Sequence, residues 1–138
     1  MQQRILIADD DEGIRDIFKL ILEAAGYCVD FRSSGEDIIN NKFIVPDLFL
    51  LDKQLGDYSG LDLCAYLKKR EDTRDIPVIM ISASPDIAKL SIEAGADAYI
   101  EKPFEIDYLR NLIQFYIERP SVSSTGETSD DVVSQPTS

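Results

Sequence analysis

The stretch LFLLD at residues 48–52 runs an unbroken apolar segment straight into a carboxylate. An apolar run of strand length without polar alternation suits a strand covered on both faces. Strands of that kind belong to parallel sheets, so Asp52 is expected just past a strand end, at a sheet edge. Working outward, runs of the same character recur as ILIA at 5–8 and VIMI at 78–81. The full set of strand candidates is 4–8, 27–31, 48–51, 78–82 and 98–100, and helical periodicity fills the intervals at 12–25, 35–41, 60–70, 87–94 and 106–118. Gly26 and Gly95 follow the first and fourth helices, where a helix end takes a left-handed residue. Strict strand–helix alternation requires right-handed crossovers. The expected fold is therefore α/β, a doubly wound five-stranded parallel sheet with five helices on both faces.

The 138 residues suffice for one domain and a tail. Domain 1–119 holds every strand and helix candidate. At 120–138 the composition turns to PSVSSTGETSDDVVSQPTS, which has too little apolar surface to offset its ordering entropy, so this segment is expected to be a disordered acidic tail. No apolar run approaches the ~18 residues of a membrane span, and acids interrupt the first apolar run at once, so neither a membrane segment nor a signal peptide is expected. Cys28 and Cys64 form no CxxC motif and sit within apolar patterns, as reduced thiols of a cytoplasmic protein do. A net charge of −12 disfavours direct contact with nucleic acid. With no histidine and no paired cysteines, zinc is also disfavoured. Any metal should be a hard, oxygen-seeking one.

In an open parallel sheet, ligands bind beyond the carboxyl ends of the strands. Asp9, Asp10 and Asp11 follow the first strand, Asp52 follows the third, Ser82 ends the fourth, and Lys102 and Pro103 follow the fifth. Clustered carboxylates at Asp9, Asp10 and Asp52 would repel one another at neutral pH. A divalent cation relieves that repulsion, and a few protein oxygens completed by water suit Mg²⁺. An anionic phosphoryl donor could then reach Asp52, whose carboxylate is the nucleophile. Lys102 supplies a second cation, and Ser82 a hydroxyl donor, for charge developing on the transferred group.

The phrases ILIADDDEGIR, LFLLDKQLGDYSGLDLC, IPVIMISAS and EAGADAYIEKPF resemble the four signature blocks of bacterial two-component response-regulator receiver domains, over residues 4–118. The resemblance implies the flavodoxin-like strand order 2-1-3-4-5. It implies that Asp9 and Asp10 hold Mg²⁺, that Asp52 is the phosphoacceptor and a metal ligand, and that the backbone carbonyl of Gln54 is a further ligand. Ser82 matches the hydroxyl that swings toward the phosphoryl group, Lys102 the lysine that pairs with it, and Tyr99 the aromatic switch. It also implies a cis Lys102–Pro103 bond. The implied donor is a sensor histidine kinase or histidine phosphotransfer protein docking near the first helix. Output is expected through a downstream protein, on the face made by helix four, strand five and helix five, with a phosphorylation-dependent homodimer as one form. Such a chain is a switch rather than a turnover enzyme. Two departures stand out: Gly56 replaces the usual proline, suggesting a looser loop, and the stretch between Ser82 and Lys102 is short.

Each residue has a plainer reading when taken alone. An Asp run before a helix reads as N-capping, which Asp11 is expected to do. Asp52 could end a strand in a turn, Lys102 could be a surface lysine, and Tyr99 could be half-buried packing. It is the convergence of four segments that favours a site. A flavin-phosphate site would want a Ser/Thr/Gly-rich loop where Asp9–Asp11 stand. An aspartyl-phosphate phosphatase would want a second Asp where Gln54 stands. The alternative function is a receiver-like docking module acting without phosphorylation. On helix five, Leu109, Ile113, Tyr116 and Ile117 fall on a core stripe, and Tyr108, Leu112 and Phe115 on a second stripe expected to face a partner.

Overall fold

The computed structural model describes residues 2–118; the expected disordered tail at 120–138 lies outside them. Strands β1 (Arg4–Ala8), β2 (Cys28–Arg32), β3 (Leu48–Asp52), β6 (Val78–Ser82) and β7 (Ala98–Glu101) form one sheet in the order β2-β1-β3-β6-β7. All its ladders are parallel. Helices α1 (Glu12–Ala24), α2 (Glu36–Ile39), α3 (Gly60–Lys69), α4 (Ile87–Ala94) and α5 (Ile106–Ile117) cover it. The doubly wound fold and the strand order are as expected from sequence.

The two-residue period of a strand sends alternate side chains to opposite faces, and the core divides accordingly. Ile5, Ile7, Leu48, Leu50, Ile79, Ile81 and Ile100 pack with Phe18 and Leu22 of α1 and Leu109, Ile113 and Ile117 of α5. The alternate set Leu6, Ala8, Phe49, Leu51, Val78 and Met80 packs with Ile38, Leu63, Cys64, Leu67 and Ile87 from α2, α3 and α4. All five residues of β3 and of β6 are buried, which is why those strands read as unbroken apolar runs.

Three local features differ from the sequence expectation. β2 begins at Cys28, because the Tyr27 N–H is used at 3.1 Å by the Leu22 carbonyl to close α1. Helix α2 is a single turn ending near Asn41, which sits in the left-handed region at φ 60°. The segment after β3 was expected to be loop. It forms a hairpin instead, β4 (Gln54–Leu55) against β5 (Tyr58–Ser59). Its two-residue turn places Gly56 at φ 65°, a positive angle at the first turn position as a II′ turn requires. Proline, fixed near φ −65°, cannot take that place. Gly56 thus matches a defined turn rather than a loose loop.

Candidate functional site

The parallel ladders set the site. Ala8 pairs with Leu51, Asp52 with Ile81, and Ser82 with Glu101, so the strands end at one level. Asp9 continues β1, donating its N–H to the Arg32 carbonyl at 3.0 Å. Asp9 and Asp52 are buried and Asp10 is exposed. Carboxylate oxygens of these three residues lie within 4.8 Å of one another, as the sequence predicts. Asp11 does cap α1: its Oδ1 accepts from the Gly13 N–H at 2.9 Å and the Ile14 N–H at 3.4 Å.

Asp52 is held at both oxygens. Oδ1 accepts from Lys102 Nζ at 3.1 Å, and Oδ2 accepts from the Gln54 N–H at 3.0 Å. Lys102 reaches the pocket because β7 ends in a ladder bond from the Lys102 N–H to the Ser82 carbonyl, 2.9 Å, and its bond to Pro103 is cis, as expected. Lys102 Nζ also lies 3.5 Å from Asp9 Oδ2. That contact is an ion pair without hydrogen-bond geometry, and Oδ2 is a buried oxygen with no hydrogen-bond partner. The other Asp9 oxygen accepts from the Asp11 N–H at 3.0 Å.

Burial is the main cause that raises the Asp9 carboxyl above the usual range; the Asp11 N–H and Lys102 oppose it, and the Asp52 charge adds to it. Burial alone would lower Lys102, but the hydrogen bond and charge of Asp52, then the charge of Asp9, outweigh it, so the ammonium is raised. The pocket therefore holds one firmly charged cation among carboxylates, one of which resists ionisation. Such a site attracts a further cation and presents Asp52 to an anionic group.

The remaining predicted residues are placed as follows. Ser82 is buried at the end of β6, and its Oγ accepts from the Ser84 N–H at 2.9 Å. Gln54 shows its N–H to Asp52. Tyr99 is exposed on edge strand β7, on the sheet face that also carries Met80. On α5, Leu109, Ile113 and Ile117 are buried and Tyr116 packs beside them, as expected. The second stripe needs correcting: Leu112 also packs against that core, because it lies on the flank next to it, while Tyr108 and Phe115 are exposed.

Two residues escaped the sequence reading. Gly60 opens α3 beneath the site, donating its N–H to the Lys53 carbonyl at 2.7 Å, and a Cβ there would collide with the Asp52 carbonyl oxygen. The Ser-Gly pair before an amphipathic run was the available signal: Ser59 caps the helix, with its Oγ accepting from the Leu61 and Asp62 N–H groups. Lys53 crosses to the β6–α4 connection and bonds Ser84 Oγ at 3.0 Å. No local pattern announces a contact spanning 31 positions.

Such an edge, with an acidic trio and a lysine closing on one strand-terminal aspartate, defines a parallel α/β module with an acidic pocket at the carboxyl ends of its strands. The chain belongs to the response regulator receiver domain family, whose family model matches residues 5–114; it is a receiver domain of the two-component type. It is 36% identical over 121 residues to the DNA-binding dual master transcriptional regulator RpaA of Synechocystis, covering 84% of this chain and 49% of that protein. Among solved structures, it is 34% identical to a CheY-like response regulator receiver domain protein from Methanospirillum hungatei, with a TM-score of 0.77, covering 86% of this chain and 95% of the other. The receiver domain of a sensor histidine kinase from Pseudomonas aeruginosa, solved with a magnesium ion in its active-site cleft, shares the fold at 23% identity and a TM-score of 0.78, covering 86% of this chain and all of the other. The chain spans about half the length of the curated relatives it matches. The expectation of no direct nucleic-acid contact finds no support in these relatives, one of which is described as DNA-binding. Among the described residues, no helix is long and apolar enough to cross a membrane.

Proposed function

We propose that this receiver domain is a phosphorylation-dependent switch in which Asp52 accepts a phosphoryl group from a histidine kinase or histidine phosphotransfer protein. The observation that carries this reading is the placement of Asp52, buried at a strand end with Lys102 Nζ at 3.1 Å and two further carboxylates within 4.8 Å. A carboxylate oxygen of Asp52 forms the new P–O bond, and the P–N bond of the donor phosphohistidine breaks, its electron pair staying on the imidazole nitrogen. Lys102 holds the attacking carboxylate and offsets charge gathering on the phosphoryl oxygens. Ser82 is the hydroxyl positioned to turn toward the product, and Tyr99 the side chain that follows it.

The donor set fits Mg²⁺. It is all oxygen, and Asp9 Oδ2 is a buried acceptor with no hydrogen-bond partner, so a hard cation would satisfy it. Asp9, Asp10 and Asp52, with the Gln54 carbonyl, would hold the ion, which when bound supplies neutralising charge to the phosphoryl oxygens. The signal leaves through protein contacts on the α4–β7–α5 face, a phosphorylation-dependent homodimer among them, in the cytoplasm. The chain works as a switch, not as a turnover enzyme.

The test is incubation with acetyl phosphate and Mg²⁺. The intact protein should gain one phosphoryl mass and Asp52→Asn should gain none. Labelling of the mutant at the wild-type rate would overturn the assignment. A wild type that takes no label would leave the phosphorylation-independent docking module.

A further inference from the structure

Lys53 directly follows Asp52, and its main chain is fixed on both sides. Its N–H donates to the Ile81 carbonyl at 3.1 Å, and its carbonyl accepts from the Gly60 N–H at 2.7 Å. The side chain leaves this anchored point toward the connection between β6 and α4. Nζ donates to Ser84 Oγ at 3.0 Å and lies 3.8 Å from Asp86 Oδ1. Asp86 stands at the N-cap of α4, yet its side chain makes no capping hydrogen bond there, so its carboxylate is available to the lysine. Ser84 in turn donates its N–H to Ser82 Oγ at 2.9 Å. One line of hydrogen bonds thus runs from the residue after the phosphoacceptor, through Ser84, to the hydroxyl at the end of β6.

The geometry has a direct consequence. For the Ser82 hydroxyl to turn toward a group on Asp52, its bond from the Ser84 N–H must open, and Ser84 must yield or be left behind. Lys53 resists this by holding Ser84 through its side-chain oxygen while the Ser84 N–H bonds Ser82. We propose that Lys53 is a positioning residue: a latch that keeps the β6–α4 connection, and with it Ser82, in the resting arrangement, and so limits how readily Asp52 is phosphorylated. This rests on the reading of Asp52 as phosphoacceptor and Ser82 as its hydroxyl partner. A competing role for the same cation, drawing anionic donors toward Asp52, predicts the opposite sign, because removing a positive charge would then slow the reaction.

The experiment uses the full chain as wild type, Lys53→Met, Lys53→Arg, Ser84→Ala and the Lys53→Met/Ser84→Ala double variant. Initial labelling by acetyl phosphate with Mg²⁺ is measured in each. Loss of one hydrogen bond of ordinary net strength should speed labelling about fivefold in both Lys53→Met and Ser84→Ala. The double variant should be no faster than either single one, since both remove the same contact. Lys53→Arg, which keeps charge and donors, should stay near wild type. A slower Lys53→Met beside an unchanged Ser84→Ala would overturn the latch in favour of steering, and unchanged rates in both would overturn it outright. Amide exchange at Ser84 in the unphosphorylated protein reads the latch independently: it should quicken in Lys53→Met and not in Lys53→Arg, and equal protection in all three would sink the proposal. If the wild type takes no label while this exchange pattern holds, the parent reading fails and the contact itself stands.

Discussion

Replacing Asp10 by Asn should make the metal-free protein more stable, although it removes a residue from the site. Asp9, Asp10 and Asp52 bring carboxylate oxygens within 4.8 Å of one another, and Lys102 alone among the contacts of Asp9 and Asp52 supplies positive charge. Two unit charges 4.8 Å apart repel by about 3.5 kcal/mol at an effective dielectric of ~20 and by about 0.9 kcal/mol in water. Asp10 is exposed, so the lower end applies to much of its field, and its two like-charged neighbours together suggest a gain of ~1.5 kcal/mol. Asp10 does not cap α1, since Asp11 does, so no helix contact is lost to offset the gain. In urea with a chelator present, a slope of about 1.5 kcal/mol per molar converts this to a midpoint raised by about 1 M. Added Mg²⁺ should then stabilise the wild type more than the variant, by about 1.4 kcal/mol for the wild type at tenfold its dissociation constant, and so narrow the gap. A variant that is less stable than wild type in chelator, or that gains as much from Mg²⁺, would refute the reasoning and make Asp10 structural.

Further expectations follow from neighbouring residues. Because folded Asp9 binds its proton more tightly than the unfolded chain does, its ionisation weakens the fold: the penalty is absent at acid pH, grows as pH rises above the ordinary carboxylate range and is complete above the raised folded value. The stability of Asp9→Asn minus that of metal-free wild type should therefore increase from acid to neutral pH, and a flat difference would contradict this. Gly60→Ala forces a methyl against the Asp52 carbonyl and should cost about 3 kcal/mol in denaturation while slowing Asp52 labelling; a neutral variant would show that the helix start relaxes freely. Burial pushes the Cys64 thiol up to about 12, so iodoacetamide at mildly alkaline pH should modify half-buried Cys28 first and reach Cys64 only on unfolding; equal rates in the mass spectrum would refute it.

The parts of this molecule legible in sequence are those with a period. The central strands were readable because β3 and β6 are buried throughout and run apolar up to their last residues, Asp52 and Ser82, and α4 was placed to the residue because Gly95 stops it in a left-handed turn at φ 87°. The β4–β5 hairpin was not, since two-residue strands have no period to detect and QLGDYS offers only a turn signal at Gly56. Asp9, Asp10, Asp52 and Lys102 converged because strand ends converge in any parallel sheet. The Lys53–Ser84 contact and the close approach of Gly60 depend on how separate loops meet, which no local pattern encodes. Leu112 was misassigned for a related reason: helical phase alone places it off the core stripe, but residues flanking that stripe still reach the sheet.

The ladder register has a consequence for which insertions and deletions the chain can absorb. Main-chain bonds pair Ala8 with Leu51, Asp52 with Ile81 and Ser82 with Glu101, so the spacing across the pocket is independent of how long the connections are at the opposite edge. Extra residues between α1 and β2, or between α2 and β3, would lengthen the molecule without moving a reacting atom. One residue added inside β3 would do the reverse: with a side-chain period of two, it would turn Asp52 to the other face of the sheet and invert every apolar contact beyond it. Length variation among such chains should thus gather at the edge where the strands begin, leaving the strands themselves fixed in length.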